Sequence, residues 1–370
     1  MLLTISPRVS MAGLGHDLLE LILKRLNVAD LIRCKSVCKS WETFISDSRF
    51  VKVHMEYSYQ VDCNNNDVDR RIVMARTPYL YGSSYYEFDD RCFDYRDCHL
   101  LGSSNGLVCI SPFASQILVA NPCTREVKTL KTPQIPYMTP LCWGFGHDSS
   151  TDDYKVILGF KKGNGRTYFQ VLTLKSNVWK VIGDVNYSFV SRIGILCNGA
   201  LHWVMRDASS QDKQNVIFSF HLSEEEFKEI PQPDDAEYES GIARLPTMRL
   251  GIMAECLCVF HYDKVTDKLW MMKNYNVKES WEMVGKDCEI KFVVHCLKEL
   301  KHYISYKRSL CRHIWFFRTQ EFIAAPIYLQ TLVSPHLDGR PKRKMQASNI
   351  KKSCKLIKGD PSFSGPSGNV

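Results

Sequence analysis

Gly102-Ser103-Ser104-Asn105-Gly106 spells G-x-S-x-G, the spacing with which a serine hydrolase lifts its nucleophile onto a sharp turn. That chemistry needs a strand before the serine and a helix after it. Here Leu107 to Ile110 reads as a strand, so Asn105-Gly106 is predicted to close a hairpin and Ser104 is not expected to attack anything. Gly144-Phe145-Gly146 lacks the third glycine and the following helix of a phosphate cradle. Asp152 and Asp153 point to opposite faces if they lie on a strand, and so cannot serve one bond as acid and base. His202 has no serine or cysteine at a recognisable distance and reads as a hydrogen-bonded sheet histidine. Trp143, Trp179, Trp203, Trp270 and Trp281 read as sheet core, although one or two could line a ligand groove. The expectation is a chain without an active site.

Metal chemistry fares no better. Fifteen cysteines run from Cys34 to Cys354, an odd number, and read as small buried apolar residues of a reducing compartment. Cys34 and Cys38, like Cys256 and Cys258, lack the two-residue knuckle of a zinc site. Cys288, His295, Cys296, His302, Cys311 and His313 form the one remaining loose group, and they alternate with Phe292, Val293, Val294, Tyr303 and Ile304 as strand residues do. No metal and no cofactor are expected.

The net charge of +8 would suit a nucleic-acid binder if it were spread over the fold. It is not. Residues 340–358, RPKRKMQASNIKKSCKLIK, hold eight Lys or Arg and no acid, leaving 40 basic and 40 acidic residues elsewhere. Residues 336–370 are therefore expected to be a disordered basic tail, with Pro341, Lys342, Arg343 and Lys344 as a candidate nuclear import signal. No apolar run approaches the length of a membrane span, and MLLTISPRVS lacks the pattern of a secretory signal. Neither nucleic acid nor membrane is expected as a partner, and the expected location is cytoplasmic, nuclear or both.

What remains is surface. DLLELILKRL from Asp17 puts Leu18, Leu21, Ile22 and Leu26 at helical spacing, with Leu19 and Leu23 widening the same face and Asn27 ending or bending the helix. In LNVADLIRCKSVCKSW and the residues after it, Val28, Leu31, Val37, Cys38, Trp41, Phe44 and Ile45 recur every three or four positions, which predicts two more short helices. The cysteines are placed on the apolar side with Val37 and Trp41, and Arg33, Lys35 and Lys39 on the solvated side. A DNA-reading helix would offer polar base-reading side chains where this one offers Val, Cys and Trp. Three short helices cannot bury this much apolar surface among themselves, so the surplus calls for a partner.

The order of Leu14, Asp17, Leu18, Leu19, Ile22, Leu23, Arg25, Leu26, Val28, Leu31, Arg33, Lys35, Val37, Cys38, Lys39, Ser40 and Trp41, then Ile45, Ser46, Asp47 and Phe50, resembles the F-box of plant F-box proteins. The resemblance implies a helical domain over residues 10–52 that docks on the Skp-type adaptor of an SCF (cullin-RING) ubiquitin ligase. It places Leu14, Leu18, Ile22, Leu26, Val28 and Leu31 near the contact, with Cys38 and Trp41 supporting the helices from within. Gly15 and Asn27 stand where the family usually has proline, and both changes are expected to loosen the helix starts.

Beyond residue 60 the periodicity changes to short strands. VKTL from Val127, WKVI from Trp179, FKEI from Phe227 and WEMV from Trp281 begin 52, 48 and 54 residues apart. A second set, NGLVCI from Asn105, DYKVIL from Asp153, NGALHWV from Asn198 and ECLCVF from Glu255, recurs at similar intervals. Two strand types repeating at about 50 residues predict a kelch-like β-propeller over residues 60–335, with room for five or six blades. SSNGLVCI, ANPCTREVKTL, GFGHDSSTDDYKV, NGALHWV, FSFHLSEEEFKEIPQP, LWMMKNYNVKESW and IYLQTLVSP, in that order, resemble the plant F-box-associated domain; His221 and residues 285–320 depart from it.

Together the two resemblances imply a non-catalytic substrate receptor of an SCF ligase: an α plus all-β chain that holds the adaptor with its helices and an unidentified target protein with its propeller. Loops within Tyr79 to Asp94, Lys161 to Arg166, Arg206 to Asn215 and Pro233 to Pro246 are the candidates for target contact. The rival reading is a propeller enzyme or carbohydrate-binding propeller with a helical cap. A third is a target-binding propeller whose docking has been disabled at Gly15 and Asn27.

Overall fold

The computed structural model describes residues 15–64, most of 98–284, and the segments 70–72, 313–318 and 321–337. The chain divides into two compact units, residues 1–69 and 70–370.

The first unit is helical: α1 (His16–Leu23), α2 (Val28–Cys34), α3 (Lys39–Ser46) and α4 (Ser48–Asn64). Helices of seven or eight residues are marginal alone, so their stability comes from shared burial. Leu19 and Leu23 of α1, Val28 and Leu31 of α2, Ile45 of α3, and Phe50 and His54 of α4 are all buried. The Phe44 and Phe50 rings lie 5.0 Å apart. His54 Nε2 donates to the Leu26 carbonyl at 2.9 Å, tying α4 to the α1–α2 joint. Burial lowers the pKa of this imidazole. Helix α4 continues the helical region past residue 52 and past residue 60, after which the periodicity had pointed to strands.

The second unit opens with strand β1 (Arg70–Ile72). Its first four-stranded sheet follows as β2 (Cys98–Ser104), β3 (Leu107–Pro112), β4 (Ile117–Asn121) and β5 (Glu126–Leu130). The second is β6 (Cys142–Asp148), β7 (Asp153–Lys161), β8 (Thr167–Thr173) and β9 (Trp179–Val185). In the third, β10 (Tyr187–Phe189) and β11 (Ile195–Cys197) both pair with β12 (Ala200–Asp207), followed by β13 (Asn215–His221) and β14 (Glu226–Ile230). The fourth is β15 (Met248–Met253), β16 (Cys256–Tyr262), β17 (Asp267–Met272) and β18 (Trp281–Val284). Last come β19 (His313–Arg318) and β20 (Glu321–Leu329), and here β1 returns: the sheet order is β1-β20-β19, with Arg70 opposite Leu329.

Leading strands touch in succession, β2 with β6, β6 with β11 and β12, those with β15, β15 with β19, and β20 with β2, which closes the circuit. Every sequence repeat has a fixed place in it. VKTL, WKVI, FKEI and WEMV fall in β5, β9, β14 and β18, the outermost strand of each four-stranded path. NGLVCI, DYKVIL, NGALHWV and ECLCVF lead into β3, β7, β12 and β16, one strand out from the centre. Positive-φ residues repeat too: Asn105, Asp152, Asn198 and Glu255 stand before those inner strands, and Arg125, Asn177, Glu225 and Asn276 before the outer ones. Asn105-Gly106 and Asn198-Gly199 have both residues at positive φ, as the tightest hairpin turn requires.

Successive four-stranded sheets share core. Leu107 and Val119 of the first sheet pack with Phe145 and Leu158 of the second. Ile157 and Phe169 meet Trp203 and Phe220 of the third, and Val204 and Ile217 meet Leu250 and Trp270 of the fourth. Gly144 and Gly146 let the second and third sheets approach, and within the third a Cβ on Gly194 would stand 2.7 Å from the buried Trp203 ring. Gly194→Ala is therefore expected to destabilise the propeller by about 1–3 kcal/mol, the usual cost of overpacking a rigid core, as a lower urea midpoint will show.

Polar clasps cross the joints between successive four-stranded sheets. Lys128 Nζ reaches the Leu174 carbonyl at 2.7 Å between the first and second sheets. Between the second and third, Lys155 Nζ bonds the Leu222 carbonyl and stands 3.0 Å from both Asp148 and Glu225. Burial alone would raise the Asp148 carboxyl, but hydrogen bonds from Ser223, Ser150, Lys155 and Thr151 outweigh it and hold the group below its ordinary range. His202 and Tyr275 join the third and fourth sheets at 2.8 Å. Asn121 of β4 donates to the carbonyls of Thr331 and Val333, and Thr331 Oγ1 donates to that of Asn105. The segment after β20 is thereby fixed to the first sheet, and Leu332 is buried. This order continues to Leu337, past residue 336 where the tail was expected to begin; residues 338–370, with the candidate import signal, lie outside the described residues.

Candidate docking surface

On α1 the five leucine-type side chains divide cleanly. Leu19 and Leu23 turn inward, while Leu18 is 54% exposed and Ile22 48%. Leu21 is exposed beside them, three residues from Leu18 and so on the same side of the helix. Leu26 is half-buried. Leu14 lies outside the described residues.

Two expected contact residues are placed differently. Val28 is 2% exposed and Leu31 fully buried, so both are core of the helical unit rather than surface. The spacing of three residues puts them on one face of α2, and that face turns to the bundle. Cys38 is corrected as well. It is exposed at the N-terminal boundary of α3, in extended conformation, and Val37 beside it is 64% exposed; neither supports the helices from within. Trp41 is half-buried. Phe44, Ile45 and Phe50 do the internal packing instead. Leu21 and Val37 are surface residues absent from the expected contact set. Leu21 was within reach of the helical spacing, whereas the same spacing put Val37 on a helix's apolar side and the structure puts it in the exposed α2–α3 joint.

The two proline substitutions leave the helix starts intact. Gly15 and Asn27 have φ of −55° and −69°, the values proline would impose. Asn27 adds a cap: its side-chain oxygen accepts from Asp30 N at 2.8 Å while Nδ2 donates to the Asp30 carboxylate at 2.9 Å. This corrects the expectation of a loosened start at α2. Asn27→Ala is expected to cost the helical unit about 1 kcal/mol, the ordinary value of an N-cap, measured by thermal unfolding. Elsewhere on the helical unit Arg33 pairs with Asp30 at 2.7 Å, Arg49 stands 3.6 Å from Glu20, and Lys24 lies 5.5 Å from the centre of the Tyr57 ring.

The catalytic candidates are all occupied structurally. Ser104 ends β2, and a hairpin turn follows it directly. Asp152 stands in a turn with its carboxylate 3.2 Å from His147, while Asp153 is buried and accepts from the Tyr154 and Lys175 amides. His202 donates through Nδ1 to the Ile195 carbonyl at 3.1 Å, and its Nε2 faces the Tyr275 hydroxyl. Trp143, Trp203 and Trp270 are buried. Trp179 and Trp281 are half-buried, and each indole donates to a backbone carbonyl, of Lys131 and Pro231. Among the described residues no three His, Cys, Asp or Glu come together as a metal would need. Cys288, His295, Cys296, His302 and Cys311 lie outside them. No described helix is long and apolar enough to cross a membrane.

Antiparallel order also sorts the loops. Turns between first and second strands and between third and fourth strands emerge at one end of each sheet, and all other connections at the opposite end. The first end carries the tight positive-φ turns. The opposite end carries the connections that include Lys161 to Arg166, Arg206 to Asn215 and Pro233 to Pro246, three of the four candidate target loops. Tyr79 to Asp94 lies outside the described residues.

A helical unit with an exposed apolar ridge, followed by a circuit of four-stranded antiparallel sheets with long connections at one end, defines a protein of the propeller class. Residues 43–312 match the F-box associated beta propeller domain, and residues 12–52 match the F-box domain. The chain belongs to the family of F-box proteins with an F-box associated propeller. Among its relatives, F-box protein At3g07870 of Arabidopsis thaliana is 29% identical over 84% of this chain and 78% of its own. F-box protein CPR1 of the same plant is 29% identical over 81% and 77%, and F-box/kelch-repeat protein At3g23880 is 28% identical over 73% and 78%. Family membership points to a substrate-recognition role in SCF assemblies and indicates no catalytic family.

Proposed function

We propose that this chain is the substrate receptor of an SCF ubiquitin ligase, binding a Skp-type adaptor through Leu18, Leu21 and Ile22 and a target protein through the long-loop end of its propeller. The observation that carries the reading is the exposed ridge of α1, which lies inside the F-box match. Burying one such side chain contributes about 1.5–3 kcal/mol, so three of them supply the hot spot of a small interface. The rigid sheets would hold the target, and ubiquitin transfer would gain from proximity alone. Such a receptor works in the cytoplasm, the nucleus or both.

The test is direct titration of the full chain with a purified Skp-type adaptor. Leu18→Asp with Ile22→Asp is expected to lower affinity by at least a hundredfold, about 2.7 kcal/mol, with the unfolding midpoint unchanged because both side chains are already solvated. Unchanged affinity, or no complex with the unaltered chain, would favour the rival of a propeller enzyme or carbohydrate binder.

A further inference from the structure

We propose that Ser36 is a phosphorylation site for an arginine-directed serine/threonine kinase, and that its phosphate releases the adaptor; the second half rests on the docking reading above. Ser36 is exposed in the short joint between α2 and α3. Arg33, three residues before it, has a side chain 80% exposed, and Val37, immediately after it, is the most exposed of the large apolar residues described. Kinases of this class read a cation at that distance and often an apolar residue on the far side. Among the described residues Ser36 is the only serine or threonine with an arginine three positions earlier, so the joint stands apart from every other described hydroxyl.

The local fold permits the reaction. Helices α2 and α3 have seven and eight residues, and the joint is held by the Ser36 amide on the Arg33 carbonyl and the Val37 amide on that of Cys34. Opening one such turn to fit a kinase cleft disturbs few bonds. Ser36 Oγ attacks the terminal phosphorus of a nucleoside triphosphate; the new O–P bond forms as the bridging P–O bond to the diphosphate breaks, and the hydroxyl proton passes to the kinase base.

Consequences follow from charge. A phosphate of nearly two negative charges would sit next to Val37 and within three residues of Arg33, Lys35 and Lys39. It competes with Asp30 for Arg33 and brings a strongly hydrated group to the exposed apolar side chain of Val37, in the same helical unit as the docking ridge.

Purified full-length chain is incubated with the catalytic subunit of an arginine-directed kinase and ATP, the phosphate is located by mass spectrometry, and adaptor affinity is measured before and after. The expected result is phosphate on Ser36, absent in Ser36→Ala, with at least a tenfold loss of adaptor affinity that phosphatase treatment reverses. Phosphate elsewhere, or phosphate on Ser36 with unchanged affinity, overturns the proposal. A chain that accepts phosphate on Ser36 but never binds the adaptor unmodified overturns the docking reading, and the release with it, while the modification site stands.

Discussion

Asn121→Ala is expected to cost the propeller about 3–5 kcal/mol, a large share of the stability of an ordinary domain. The side chain is fully buried and makes four hydrogen bonds. Its amide donates to the Thr331 and Val333 carbonyls at 2.9 and 2.8 Å, and its oxygen accepts from the Cys123 and Thr124 amides. Truncation orphans all four partners at once, and no water can reach the Thr331 carbonyl without opening the joint. Urea unfolding gives the loss, and hydrogen exchange locates it: residues 331–337 should lose protection before the third and fourth sheets do. Asn121→Asp, which keeps the shape but turns a charge on two carbonyl oxygens, should be at least as damaging. A variant with native stability would show that the segment is held by Leu332 and its neighbours rather than by this amide.

The second large effect is a function of pH. Burial lowers the His202 pKa to about 4, against the opposing pull of the Ile195 and Ala200 backbone. In the unfolded chain the same ring titrates near its ordinary 6.5. Between those values the unfolded state holds a proton that the folded state lacks, so stability rises with pH across the window. It is therefore fully present above pH 6.5 and falls as pH drops to about 4, by about 3 kcal/mol in all. His202→Gln should be less stable at pH 7, because the bonds to Ile195 and Tyr275 are disturbed, yet flatter between pH 6.5 and 4. Equal slopes for the two proteins would mean that other groups govern acid unfolding.

Much of the propeller was legible because its outer and second strands carry regular patterns. Trp179 and Trp281 begin outer strands at equivalent places, and Asn105 and Asn198 mark equivalent turns, so spacing alone placed them. The leading strands were not legible. β6 reads CWGFGHD and is buried along nearly all its length, so no alternation marks it, and its glycines are set by Leu201, Trp203 and Leu222 of a neighbouring sheet. Helix α4 was missed because SRFVKVHMEYSYQVDCN mixes polar and aromatic residues without a clean apolar stripe. At the docking surface, periodicity found the apolar residues of α1 and α2 but could not say which of two faces each helix gives to its own bundle. Val28 and Leu31 differ from Leu18 and Ile22 only in that choice, and α3 and α4 make it.

The pairing of Arg70 with Leu329 also sets a schedule for biosynthesis. A ribosome adding about 5–20 residues per second needs roughly ten to fifty seconds to deliver the partner of the first strand. Until then the nascent first strand waits without its sheet partner, so the ring can close only once nearly the whole chain has emerged.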